Sequence, residues 1–139
     1  MDMRLELVPL PTSDVERSKE FYVDGMGFHL DHDVSPGNGM RVVQLTPPGS
    51  ACSVVVGVGM SDPDAPRVQN LHLVVDGIDE VRAHLTARGV EVSEVQDMGG
   101  VKYAYLSDPD GNSWAVQQLK ARGEKPLIPH EARGRFGAE

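Results

Sequence analysis

The chain carries the same segment twice, and this repetition limits its possible folds more than any other feature. VQLTPPGS at residues 43–50 aligns with AYLSDPDG at residues 104–111, an offset of 61. Each reads as a strand ending in a Pro/Gly turn. A further strand follows each turn, over Ser53 to Val56 and over Trp114 to Gln117. Upstream, residues 7–14 align with residues 70–77 at an offset of 63. Each of those strands leads into a segment with apolar side chains at helical spacing. The chain thus holds two copies of one strand–helix–strand–strand–strand unit. The expected class is α+β, with two βαβββ units around a shared cup-shaped cavity.

The 139 residues suit one domain. A lone unit of about 50–60 residues would be marginal, because too little of its surface is buried. The units, expected at about 4–58 and 69–119, should therefore share a core. Residues 59–68, with Pro63 and Pro66, read as the linker, and residues 120–139 as a tail without periodicity.

In the first unit, strands are expected at residues 4–10, 28–34, 40–45 and 52–58. Thr12, Ser13 and Asp14 are cap-forming types ahead of a helix over 15–25. In the second, strands are expected at 70–75, 90–95, 101–106 and 113–119. Ile78, Val81 and Leu85, with the stem of Arg82, mark the buried stripe of a helix that ends at Gly89. Residues 35–39 and 108–112 have turn chemistry.

The formal net charge is −8. Residues 120–139 hold five basic and three acidic side chains, so residues 1–119 hold eight and eighteen, a net of −10. A nucleic-acid partner needs a basic face and is not expected. The acidic body serves solubility, or it steers a cationic ligand. The single cysteine, Cys52, excludes a disulfide framework and is expected as a small hydrophobe in a strand. No apolar run reaches membrane-spanning length. The N-terminus lacks a basic-then-apolar signal pattern, so a cytoplasmic protein without a membrane partner is expected.

SDVERSKEFY at residues 13–22, leading to Gly27 and Phe28, and SDPDGNSW at residues 107–114 carry a resemblance. Over residues 4–119 the chain resembles the vicinal oxygen chelate superfamily, which includes glyoxalase I, bleomycin-resistance proteins and extradiol dioxygenases. The resemblance implies the paired-unit fold. It also implies, for catalytic members, a divalent metal held by His, Glu or Gln from the first and last strands of each unit. Carried onto this chain, those positions are Leu7, Val54, Asn70 and Ala115. None is a carboxylate or an imidazole, and Leu, Val and Ala supply no ligand atom. No metal and no other cofactor is therefore expected, although a divalent metal held by other residues stays open.

Side chains two apart on a strand share a face. Leu5, Leu7 and Pro9, then Asn70 and His72, then Ser113, Ala115 and Gln117, are expected to face the cavity. So are Gln44, Tyr103 and Tyr105. Val8, Leu10, Leu45, Leu71, Leu73, Leu106, Trp114 and Val116 should face the helices. His29, Asp31 and Asp33 should share a face of their strand, solvated or open to a cation. His72 is a candidate general base, since imidazole titrates near neutral pH, or else a hydrogen-bonded wall residue. Tyr103 and Tyr105 either stack on a ligand or pack within the sheet. Asp108 and Asp110 are expected to stabilise their own turn.

Three functions fit this pattern. One is a metal-free small-molecule-binding protein, resembling bleomycin-resistance proteins, with a cationic or aromatic organic ligand. Another is a glyoxalase-like enzyme of lyase, isomerase or dioxygenase class, using His72 and cavity tyrosines or a non-standard metal site. The last is an accessory protein with a closed cavity. A homodimer is expected in each case.

Overall fold

Each copy of the repeat folds into a four-stranded mixed sheet crossed by one helix. The computed structural model describes residues 1–119. Strands β1 (Leu7–Pro9), β2 (His29–Gly37), β3 (Met40–Thr46) and β4 (Ser53–Val58) form the first sheet in the order β1-β4-β3-β2. Strands β5 (Leu71–Val74), β6 (Gln96–Met98), β7 (Val101–Ser107) and β8 (Ser113–Gln118) form the second in the order β5-β8-β7-β6. In both, the first strand runs parallel to the last and the remaining pairs are antiparallel. Helices α1 (Val15–Glu20) and α2 (Ile78–Ala87) make the crossovers. The chain is α+β, as the repeat implied. The tail expectation for residues 120–139 lies outside the described residues.

Local chemistry explains the element ends. Asp14 is extended (φ −149°), and its carboxylate accepts the Arg17 N–H at 3.1 Å, which starts α1. The β2–β3 hairpin turns on Asn38 (φ 55°) and Gly39 (φ 73°), the paired positive angles of a type I′ turn. The helix expected over residues 15–25 is α-helical only to Glu20. Phe21–Gly25 widen into a single π-helical turn, with the Met26 N–H bonded to the Phe21 carbonyl at 2.9 Å. That turn carries Tyr22 into the centre of the molecule.

The core is one cluster drawn from both units. Alternation sends Val43, Leu45, Val54 and Val56 from the first sheet, and Ala104, Leu106, Trp114 and Val116 from the second, to the helix-covered side. Tyr22 stacks on Phe28 with centroids 5.4 Å apart and meets Trp114 edge-on at 5.9 Å. Because the helix-covered faces share this core, the opposite faces of both sheets open outward.

Three expectations are corrected. Val54 does not face the open side. It pairs with Val8 and Leu45 and lies in the core. Six residues separate Thr46 from Ser53, but only five separate Ser107 from Ser113, so Val55, not Val54, matches Ala115. Next, His29, Asp31 and Asp33 do not share one face. A register shift between Leu30 and His32 leaves Asp31 as the extra residue of a bulge and turns Asp33 toward α1. There Asp33 binds Lys19 at 2.8 Å and Arg41 at 2.7 Å. Finally, the strand expected at 90–95 forms only over Gln96–Met98. The Ser93 hydroxyl takes the Tyr105 N–H, and the Ser93 carbonyl takes Arg82 Nε, replacing ladder bonds.

The Asp108–Asn112 turn does more than stabilise itself. Asp108 Oδ1 accepts the N–H groups of Asp110 and Asn112, both at 2.9 Å. Its Oδ2 accepts the Tyr22 hydroxyl at 2.6 Å and Asn112 Nδ2 at 2.8 Å. Trp114 Nε1 donates to the same hydroxyl at 3.0 Å, and Asn112 Nδ2 also reaches the Pro11 carbonyl. Asp110 accepts from the Thr12 hydroxyl at 2.6 Å, from the Ser13 N–H and hydroxyl, and from Arg17. The turn of the second unit is thus latched onto the β1–α1 junction of the first. Burial, then the neighbouring Asp108 carboxylate, push the Tyr22 phenol far above its ordinary pKa, so it remains a donor.

Two outcomes follow from the latch. Tyr22→Phe removes a bond to a charged acceptor and strands Trp114 Nε1, so urea denaturation should show a loss of about 2 kcal/mol. Burial opposes ionisation of Asp110, but the bonds from Thr12 and Ser13, together with Arg17, outweigh it and hold the pKa below the usual carboxylate value. Its contribution is therefore complete above the unfolded-state pKa of about 4 and is lost as pH falls below that. Stability measured from neutral pH down to about pH 2 should fall, and Asp110→Asn should flatten that acid limb.

Candidate functional site

The open face of the second sheet presents two aligned rows. His72, Ala115 and Tyr105 lie side by side across β5, β8 and β7. Val74, Gln117 and Tyr103 form the next row. Ala115 is fully buried and small, so it makes a floor between two larger side chains. The His72 ring meets Tyr103 edge-on, with centroids 6.2 Å apart. Tyr103 and Tyr105 are parallel to within 2°, with centroids at 6.2 Å. Gln117 Nε2 donates to the Tyr103 hydroxyl at 3.1 Å, which fixes that ring.

His72 Nδ1 lies 2.7 Å from the Asn70 carbonyl. A carbonyl oxygen only accepts, so Nδ1 carries a proton and Nε2 of the neutral ring is left as an acceptor. Asn70 makes this possible by leaving the strand. Its φ of 61° is left-handed, its N–H bonds the Ser113 hydroxyl, and its side chain borders a shallow hollow beside Tyr105 and Ser113. The expected alternation of Asn70 with His72 therefore does not hold as a continuous strand.

The open face of the first sheet is built from hydroxyls and amides. Leu7 sits beside Ser53, and Gln44 beside Val55. Asp31 accepts from Thr46 Oγ1 at 2.5 Å and from Gln44 Nε2 at 3.1 Å, and lies 3.8 Å from His29 Nε2. Thr46 and Ser53 are 2.6 Å apart through their hydroxyls. The Thr46 bond contributes most; burial opposes it, but with the Gln44 bond and the charges of His29 and His32 added, Asp31 is held below the usual carboxylate pKa. Thr46 and Ser53 were not singled out in the sequence, where both look like turn flanks. Their signal was the period of two that joins them to Gln44 and Val55.

The superfamily's divalent metal does not fit these residues. Leu7, Val55 in place of Val54, and Ala115 offer no donor atom, and Asn70 is turned out of the strand. Among the described residues no group of three His, Cys, Asp or Glu side chains is placed to hold a metal ion. His72 and Gln117 are the imidazole and amide on the open face of β5 and β8, and Gln117 bonds Tyr103 through Nε2.

Comparison with known proteins agrees with this architecture. No curated protein sequence matches the chain. An antibiotic binding protein from Streptomyces sp. CB03234 is 34% identical, covering 86% of this chain and 98% of its own, with a TM-score of 0.75. A glyoxalase/bleomycin resistance protein from the same organism is 35% identical over 83% and 100%, with a TM-score of 0.70. A member of the superfamily from Sphaerobacter thermophilus DSM 20745 is 28% identical over 85% and 98%, with a TM-score of 0.73. The family model matches residues 4–116, and with the duplicated βαβββ unit it establishes that the chain belongs to the Glyoxalase/Bleomycin resistance protein/Dioxygenase superfamily.

Proposed function

We propose that this protein binds a small aromatic or cationic organic molecule without a divalent metal. The observation that carries this reading is the row of His72, Tyr103, Tyr105 and Gln117 over the Ala115 floor. Flat rings with a few oriented polar groups suit a planar organic ligand. A relative 34% identical is an antibiotic binding protein, which supports a ligand of that size and kind. The acidic body and Asp31 favour a cationic substituent.

The same reading includes a homodimer in the cytoplasm. On the open faces, Val34, Val74, Met98 and Tyr105 are exposed. A second copy laid over these faces would bury that apolar surface and close the wall opposite the tyrosines. A catalytic reading is favoured by one feature, the free Nε2 of His72 on the open face, which suits a base that receives a proton from a bound substrate.

Several measurements test this. Light scattering at micromolar concentration should give twice the 15.1 kDa of one chain; the mass of one chain would remove the dimer. A thermal-shift screen of aromatic and cationic antibiotics should yield a compound that raises Tm equally with and without EDTA. Dependence on added Zn, Ni, Fe or Mn would instead require a metal centre. With that compound, His72→Ala should weaken binding by about 0.5–1.5 kcal/mol, the worth of one neutral hydrogen bond, with Tm unchanged. Chemical conversion of the compound, lost in His72→Ala, would select the catalytic reading.

A further inference from the structure

Only one of the two inter-unit contacts that the repeat should generate is closed. Aligning the helix N-caps, Asp14 with Gly77, sets Thr12 against Val75, Arg17 against Glu80 and Tyr22 against Leu85. The turns correspond likewise, residues 108–111 with 47–50. On one side Asp108 and Asp110 reach Tyr22, Thr12 and Arg17. On the other, Pro47 and Gly49 stand where the carboxylates were, and Val75 and Leu85 stand where the donors were. Without partners the turn stays clear of α2. A cleft of ≈ 820 Å³ remains between α2 and β5 on one wall and the 47–50 turn with residues 26–28 on the other.

We propose that this cleft is a second ligand site, for an elongated apolar molecule ending in a carboxylate. It goes beyond the open-face reading and shares with that face only His72 and Val74 at the strand edge. The walls are apolar: Phe28, Leu73, Val75, Val81, Leu85 and Val116. Glu80, His84 and Arg88 also line it, four residues apart along α2 and so on one helix face. Glu80 is the one carboxylate in the lining. It folds back to the start of the helix, its Oε2 3.6 Å from where a Gly77 Cβ would sit. That is the third helical position, where a carboxylate offsets unpaired N–H groups. Arg88 is held at the other end by its bond to the Asp24 carbonyl at 3.1 Å. Among the described residues no carboxylate pairs with it. A guanidinium tethered by one nitrogen keeps further donors for an incoming carboxylate. His84, one turn back, and His72, on the facing strand edge, add polar contacts. The charge left for a ligand is positive at that end, so an apolar anion is complementary.

The test is calorimetric titration of octanoate into the full chain, with octylamine as the cationic counterpart. Saturable octanoate binding is expected, stronger than that of octylamine. Arg88→Ala should weaken it about tenfold or more, the loss of a charge-assisted bond. Val81→Trp should fill the cleft and abolish it, with His84→Trp at the exposed rim as the substitute if that variant does not fold. Tyr105→Ala, on the open face, should leave it unchanged. No saturable octanoate binding would overturn the site. So would binding that survives the filling variant or is lost in Tyr105→Ala, which would place octanoate on the open face. Octylamine binding as strongly as octanoate would overturn the ligand class. A failed antibiotic screen would leave these outcomes unaffected.

Discussion

The bond between the Tyr22 hydroxyl and Asp108 is the contact on which the union of the two units depends. A carboxylate only 5% exposed loses most of its hydration and would oppose folding if left bare. Here it accepts from Tyr22, from Asn112 Nδ2 and from two backbone N–H groups, so both oxygens are occupied. A half-satisfied network in this position would be worse than an apolar one. One hydroxyl of the first unit thereby meets two side chains of the second, Asp108 as acceptor and Trp114 Nε1 as donor, which orients the units on each other. The aromatic cluster of Tyr22, Phe28 and Trp114 then packs around that fixed point.

This placement determines which faces are left for binding. Strand alternation gives each sheet one apolar face and one mixed face. With the helix-covered faces joined through Tyr22, the mixed faces have no partner within the described residues. Trp114 and Ala115 illustrate the division on β8. The first is core, and the second floors the tyrosine and histidine row one residue later. Side chains that hold the fold and side chains available to a ligand therefore sit back to back on the same strands. Changes at His72, Tyr103 or Gln117 thus leave the core closed.

Much of this was legible in the sequence because it follows from repetition and periodicity. The offset of 63 placed both helices, and the period of two assigned Leu45, Leu106, Trp114 and Val116 to the core face and Gln44, Tyr103, Tyr105 and Gln117 to the other. Two of the failures lie where the count of residues breaks. One extra residue in the 47–52 turn moved Val54 into the core, and one bulged residue at Asp31 turned Asp33 toward α1. Insertions of that kind invert every later side chain and leave no mark in composition. The latch was illegible for another reason. Asp108 and Asp110 were recognised as turn residues, but a local motif contains nothing that says which distant hydroxyl its spare carboxylate oxygen will meet.

A duplicated unit does not need both of its inter-unit contacts. The linker is already tied to the second unit, with the Val68 N–H on Asn112 Oδ1, Arg67 Nε on the Asp110 carbonyl, and the Ser113 N–H on the Val68 carbonyl. Once the Asp108–Asn112 turn also holds the β1–α1 junction, the relative placement of the units is fixed from two directions. A second latch at the 47–50 turn would add little orientational constraint. Its positions can then hold Pro47, Gly49, Val75 and Leu85 without separating the halves. A gap lined by side chains forgoes packing contacts and costs stability in proportion to its size. The closed latch supplies the stability that makes such a gap tolerable. One end of the pseudo-symmetric pair thus serves the fold, and the other is left as the cleft along α2.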